Sequence, residues 1–172
     1  MIAAADVKFR LTGGASNTTA AASLGGAIST VAGGIVPQTK TLNSEFDDIS
    51  GDEAFAGDTE YRCFTFKNEH ATLTAIGGKL FVNQDSTSAN TVMSIGLDPA
   101  GKNGTATTIA TESDAPSGVT FSAPNSKATG LTVPDLAPGD YINVWVKRIV
   151  TAGMSAIDDD NWILELDIDS AA

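Results

Sequence analysis

Residues 141–150 read YINVWVKRIV, and this stretch decides the fold class because its side chains alternate with a period of two. Such a period is typical of a β-strand whose two faces meet different surroundings. The stretch predicts a strand with an apolar inner face that Arg148 interrupts near its end. That inner face carries Ile142, Val144, Val146 and Val150.

A second alternating stretch lies near the end of the sequence, where residues 162–168 read WILELDI. It predicts a strand whose acidic residues face solvent and whose apolar residues face the core. The predicted core side chains are Trp162, Leu164, Leu166 and Ile168. A shift of one residue in pairing would exchange the two faces, so the register of this strand is strongly specified.

Further short runs of strand-forming residues are separated by turn-forming Gly, Pro, Asn and Asp residues. They predict strands at 7–11, 61–67, 73–76, 79–83, 91–97, 105–111 and 119–122. Many short strands at this spacing are typical of a sandwich or a jelly roll. We therefore predict an all-β fold, an immunoglobulin-like or jelly-roll β-sandwich over residues 46–172, with an extended N-terminal arm over residues 1–45.

Residues 136–146 read LAPGDYINVWV. This stretch resembles the turn and strand found late in fibronectin type III and other immunoglobulin-like sandwiches, where a Pro-Gly turn precedes a strand that begins with Tyr. The resemblance is confined to these residues, so it implies architecture rather than function.

The first 45 residues are rich in Gly, Ala, Ser and Thr and contain few bulky side chains. A segment of this composition buries too little apolar surface to offset its own ordering entropy. In isolation we expect it to be flexible, and we expect it to become ordered by lying against its own domain or a neighbouring subunit. Its small residues and low charge favour the neighbouring subunit. The residues predicted to make that contact are Val7, Phe9, Leu11, Leu24, Ile28, Val31 and Ile35.

The formal net charge of −11 at pH 7 disfavours direct binding to nucleic acid, because phosphate recognition requires basic residues. The run between Arg10 and Lys40 is uncharged and long enough to span a bilayer, but it holds few large aliphatic residues. We therefore expect no membrane insertion. The first residues have no basic segment before an apolar core, so we expect no secretory signal.

The sequence presents no convincing catalytic constellation, and we predict that the protein is not an enzyme. Cys63 and His70 are the only cysteine and the only histidine, and no partner for a nucleophilic triad stands near either. We expect Cys63 to be a small buried hydrophobic residue. Asp158, Asp159 and Asp160 are the residues considered for calcium, but the spacing of a calcium loop is absent. We assign no metal and no cofactor.

Four segments together resemble a group of small virion proteins of tailed bacteriophages: LTGGASN at 11–17, SLGGAIS at 23–29, GDTEYRC at 57–63 with Lys67-Asn68, and GVTFSAP at 118–124. Among virion parts, a small acidic β-sandwich with an N-terminal arm is similar to capsid decoration or cement proteins. The resemblance implies a protein made in the host cytoplasm that binds the outside of the phage head.

The partners that this resemblance implies are the major capsid protein or other virion subunits, with a homo-oligomer, either dimer or trimer, as the expected state. Two alternatives stay open. The first keeps the virion and places the protein in the tail, neck or baseplate as a structural adaptor. The second is a host-surface or carbohydrate-binding module.

Overall fold

The computed structural model describes residues 1–37, 39, 41, 43–154 and 160–171. Within them the chain forms two antiparallel sheets, so the all-β prediction is confirmed. The strands are β1 (Val7–Leu11), β2 (Asp58–Asn68), β3 (Thr74–Gln84), β4 (Thr91–Leu97), β5 (Leu131–Thr132), β6 (Tyr141–Val150) and β7 (Ile163–Ala171). The helical elements are α1 (Gly51–Ala56) and three 3-10 turns at Ala4–Asp6, Ala20–Ala22 and Ala32–Gly34. No helix in these ranges is long and apolar enough to cross a membrane.

The first sheet has the strand order β1-β2-β6-β4 and the second has the order β5-β3-β7. In the first sheet Phe64 of β2 lies opposite Val144 of β6. In the second sheet Leu80 of β3 lies opposite Leu166 of β7. Phe64, Leu80 and Val144 are fully buried in one apolar cluster that also includes Ile95 of β4. The core therefore lies between the two sheets, and the inner face predicted for residues 141–150 is confirmed.

The opposite face of the first sheet is also buried. Trp145 and Cys63 form a second cluster there with Ala106. The Trp145 indole N–H donates to Asp98 Oδ2 at 2.8 Å, and the backbone N–H groups of Ala100 and Thr107 donate to the same carboxylate. A buried carboxylate that accepts three hydrogen bonds is well satisfied. Asp98 thus holds the irregular chain after β4 against this face.

Residues 12–37 continue along their own first sheet and do not extend away from it. The Cys63 N–H donates to Ser23 O at 2.7 Å, and the Gly26 N–H donates to Ala106 O at 3.1 Å. A Cβ at Gly25 would lie 1.7 Å from the Thr107 carbonyl oxygen. Glycine here permits two stretches of backbone to approach closely. The segment therefore lies against its own domain, the less favoured of the two expectations, because backbone hydrogen bonds supply the order that bulky side chains do not.

Several strand predictions differ from the structure, and β2 and β7 do not have the predicted bounds 61–67 and 162–168. Gly77 and Gly78, predicted to form a turn between two strands, lie at a register shift within the single strand β3. The predicted strands at 105–111 and 119–122 are reduced to isolated bridges at Ala106 and Ser122. In the first of these segments the Asp98 carboxylate accepts from the Thr107 N–H, and in the second the backbone of Ser122 pairs only with Ile95.

The helix α1 was not predicted, although its start carries a capping box. The Ser50 side chain accepts from the Glu53 N–H, and the Glu53 carboxylate accepts from the Ser50 N–H at 2.6 Å. This reciprocal pair satisfies two amide groups that the first helical turn would otherwise leave without partners.

Candidate functional site

The residues predicted to contact a neighbouring subunit fall into two groups. Val7, Phe9 and Leu11 of β1 are buried in the core of their own chain. The Phe9 ring lies 4.9 Å from the ring of Phe64 and 4.8 Å from that of Phe66, measured between centroids. These side chains stabilise the first sheet and are not available to a partner in this conformation.

The remaining predicted contact residues are Leu24, Ile28, Val31 and Ile35. Leu24, Ile28 and Ile35 are partly buried, and Val31 is 37% exposed. Ile35 forms an isolated bridge with Arg10, and the Leu24 carbonyl accepts from the Ile109 N–H. The structure therefore does not gather the seven residues into one exposed surface.

Cys63 and His70 each have a structural role. Cys63 is fully buried, as expected, and burial raises the pKa of its thiol far above the ordinary value, which disfavours a reactive thiolate. His70 Nδ1 accepts from the Thr72 N–H at 3.1 Å and from the Leu73 N–H at 3.0 Å. The imidazole thereby closes the turn between β2 and β3.

The calcium candidates are described only in part, since Asp158 and Asp159 lie outside the described residues. The Asp160 carboxylate accepts from the Ser88 N–H at 3.1 Å and from the hydroxyl groups of Ser86 and Thr87. Burial would raise the pKa of Asp160, but these hydrogen bonds outweigh it and the pKa is lowered. Asp160 organises the chain that precedes β4, and its Oδ1 already accepts from three donors.

A cluster of three carboxylates surrounds the buried guanidinium group of Arg62. One oxygen from each of Asp47, Glu60 and Glu112 lies within 4.8 Å of the others. Arg62 Nη2 donates to Glu112 Oε2 and to Asp47 Oδ1, the latter at 3.4 Å, while Glu60 Oε1 lies 4.0 Å away. Arg62 itself is fully buried.

A second guanidinium group completes this cluster. Arg148 Nε donates to Glu60 Oε2 at 2.5 Å, and Arg148 Nη1 donates to the Asp47 carbonyl at 3.0 Å. Arg148 and Arg62 both lie over the ring of Phe46, at 4.7 and 5.4 Å from its centroid. Burial raises the pKa of Glu60, and the charge and hydrogen bond of Arg148 counteract part of that rise. The predicted interruption of the apolar face at Arg148 is therefore an ion pair.

The arrangement of carboxylates resembles a cation site only in its oxygen spacing. A divalent ion prefers oxygen ligands that are free to surround it. Here Arg62 and Arg148 occupy the positions between the oxygens, and Arg62 Nε, a donor, has no hydrogen-bond partner. An ion would have to displace buried guanidinium groups at a high desolvation cost. The cluster instead fastens residues 46–47 and Glu112 to the first sheet.

Glu45 lies in the chain before α1, and its carboxyl group contacts Trp162, the residue before β7. The residue as a whole is partly exposed, but its Oε2 is buried and has no hydrogen-bond partner. Burial raises the pKa of the Glu45 carboxyl to about 7, against a hydrogen bond from the Trp162 side chain that lowers it. The contact joins the chain before α1 to the residue before β7.

The second sheet ends at an open edge, which we call the β7 edge and define as residues 163–171. β7 pairs with β3 on one side, and no described strand pairs with it on the other. Leu164, Leu166 and Ile168 pack against the core cluster but are only partly buried. Ile163 is 45% exposed. Sequence patterning identified these core-facing residues but gave no information about their neighbours in the sheet.

No family model, curated protein sequence or solved structure matched the chain.

Proposed function

We propose that the protein is a non-catalytic structural subunit of a virion, specifically a decoration or cement protein that binds the outside of a phage head. The observation that carries the proposal is the open β7 edge, where core residues stay partly exposed. Unpaired backbone groups beside exposed apolar side chains form a template for association with another chain. The resemblance to virion proteins in the sequence supplies the location.

The contact surface in this proposal is the β7 edge and not the N-terminal segment. Val7, Phe9 and Leu11 are buried in their own chain, whereas among the described residues no strand pairs with β7 on the side away from β3. The net charge of −11 also fits an outer position better than one against packaged DNA, since like charges repel.

The proposed form of the fold is a jelly roll. From β2 to β7, successive strands alternate between the two sheets, so among the described strands only β1 and β2 are both consecutive and paired. An immunoglobulin-like sandwich would place several consecutive strands side by side in one sheet. A jelly roll is built from two Greek keys whose connections cross between sheets. The strand order therefore favours the second architecture.

The ionic cluster supports a scaffold role. Glu60 and Arg148 are held by opposite charges on adjacent strands, and Glu112 is bound by Arg62. Because these carboxylates form ion pairs, they hold the chain at residues 46–47 and Glu112 against the first sheet.

The test is to purify particles of a phage that encodes the chain and to label them with antibodies against it. The proposal predicts label over the whole head, with a copy number comparable to that of the capsid subunits by quantitative mass spectrometry. Label confined to one vertex would assign the protein to the neck or tail instead. Absence from purified particles, together with glycan binding by the isolated protein, would replace the proposal with a carbohydrate-binding module.

A further inference from the structure

Among the described strands, the second sheet has one strand fewer than the first. Within the part of the chain that the structure describes, the second sheet holds three strands, of which β5 spans only two residues, and the first sheet holds four. A regular jelly roll has eight strands in two sheets. β7 is nine residues long, and no other described strand pairs with it on the side away from β3.

The side chains along β7 show what an added strand would cover. Leu80 and Val82 of β3 are 0% and 3% exposed, whereas their neighbours Leu166 and Leu164 in β7 are only partly buried. Near the end of β7, a cleft of about 260 Å³ lies between Ile2 and Ile168. A strand with apolar residues at alternate positions would bury the remaining surface of this row.

The outer face of β7 carries three carboxylates, from Glu165, Asp167 and Asp169. Antiparallel pairing of two β7 strands that keeps their apolar residues on the core side would set acid against acid, which is destabilising. The basic strand β1 of a second copy is also unsuitable, because its apolar residues are buried and Arg10 is bound to Glu69. These charges favour a different occupant.

We propose that the β7 edge binds an extended segment of a partner protein, antiparallel to β7, in which apolar residues alternate with Lys or Arg. The apolar side chains of that segment would continue the row of Leu164, Leu166 and Ile168, and its basic side chains would lie beside Glu165 and Asp169. This inference rests on the proposed function, because it names the chemistry of the subunit that the protein contacts.

The experiment titrates the full chain with a capped nine-residue peptide of alternating Val and Lys. Two control peptides are the same length: one has Glu in place of Lys, and the other has the original composition in a blocked order, with all Val residues before all Lys residues. Calorimetry measures affinity, and hydrogen exchange measures protection of the amides of residues 163–171. We expect the alternating basic peptide to bind and to protect these amides, and both controls to bind at least tenfold more weakly. Equal binding of the blocked peptide, or no binding of any peptide, would overturn the inference.

Charge reversal then tests the carboxylates. Asp167 already binds Lys127 at 2.6 Å, so the variant is Glu165→Lys with Asp169→Lys, for which we expect about tenfold weaker peptide binding. The matched control, Asp48→Lys with Asp52→Lys, makes the same change in net charge at exposed positions outside the edge and should bind as the unchanged protein does. Equal loss in both variants would show a nonspecific charge effect and would overturn the inference.

Two outcomes separate this inference from the proposed function. Head-wide labelling of particles without peptide binding would overturn the edge-strand inference alone. Peptide binding by a protein that is absent from particles would overturn the virion role alone. A dimer in sedimentation experiments, with hydrogen exchange at the β7 edge slowed by self-association, would overturn the assignment of a foreign segment.

Discussion

Replacing Glu45 with glutamine should change how the stability of the protein depends on pH. The folded-state pKa of Glu45 is raised to about 7 from an ordinary value of 4.5. The folded protein therefore favours the protonated carboxyl, and it binds more protons than the unfolded chain between these two values. Stability from this group is fully present below pH 4.5 and is lost as the pH rises through 7.

The size of the effect follows from the shift in pKa. Each unit corresponds to about 1.4 kcal/mol, so ionisation of Glu45 should lower the free energy of unfolding by about 3 kcal/mol at pH 8. Glu45→Gln keeps an acceptor for the Trp162 side chain and carries no charge. The variant should match the unchanged protein at pH 4 and be more stable at pH 8.

Urea denaturation between pH 4 and pH 8 measures this difference, with Asp48→Asn as a control because Asp48 is exposed. The stability difference between Glu45→Gln and the unchanged protein should grow with pH, whereas the control difference should stay nearly constant. Parallel curves for Glu45→Gln and the unchanged protein across this range would refute the buried-acid reasoning.

Three further predictions concern the core and the ionic cluster. Gly25→Ala should destabilise the protein by about 2 kcal/mol or more in urea denaturation, because its Cβ would overlap a backbone carbonyl. The control Gly101→Ala, at a positive φ in open space, should destabilise the protein by about 1 kcal/mol. Equal losses of stability in the two variants would contradict the close approach of Gly25 to the Thr107 carbonyl. Arg148→Met should cost about 3 kcal/mol in the same assay by leaving a buried carboxylate without its partner, and Lys127→Met at an exposed pair should change stability much less. Cys63 should react with a thiol reagent only after unfolding, and rapid labelling of the native protein would contradict its burial.

The strands that alternate most clearly were predictable from sequence. β1, β4 and β6 have the predicted bounds, because one face of each meets the core and selects apolar residues at every second position. The same logic failed at residues 105–111, where Asp98 binds the Thr107 N–H and holds an irregular backbone. A hydrogen bond of this kind joins residues that become close only in the folded protein, so it produces no periodic pattern in the local sequence.

The N-terminal segment shows why composition was a poor guide. Counting bulky side chains predicted that residues 1–45 need a neighbour, yet Ser29 N–H donates to Leu11 O and Val36 N–H donates to Phe9 O, both within the segment. Gly34 lies so close to Ser29 that a Cβ would be 1.9 Å from its hydroxyl oxygen. Glycine-rich composition indicated flexibility, whereas in the structure Gly34 permits close contact with both side-chain and backbone atoms.

The ionic cluster could be predicted only in part. The pattern marked Arg148 as an exception on an apolar face, which is a signal that a partner is needed. Its partner Glu60 is distant in sequence and becomes adjacent only through the β2–β6 register. The open edge could likewise not be predicted from the period-two pattern. Alternation indicates which face of a sheet a residue lies on, but it does not indicate which strands pair with one another.

The most direct test of the central claim is a particle reconstruction that resolves residues 163–171 in the assembled state. The account predicts a strand from another protein running antiparallel to β7, with basic side chains beside Glu165 and Asp169. A β7 edge that faces open solvent in the assembled particle, with the subunit contacts made elsewhere, would contradict it.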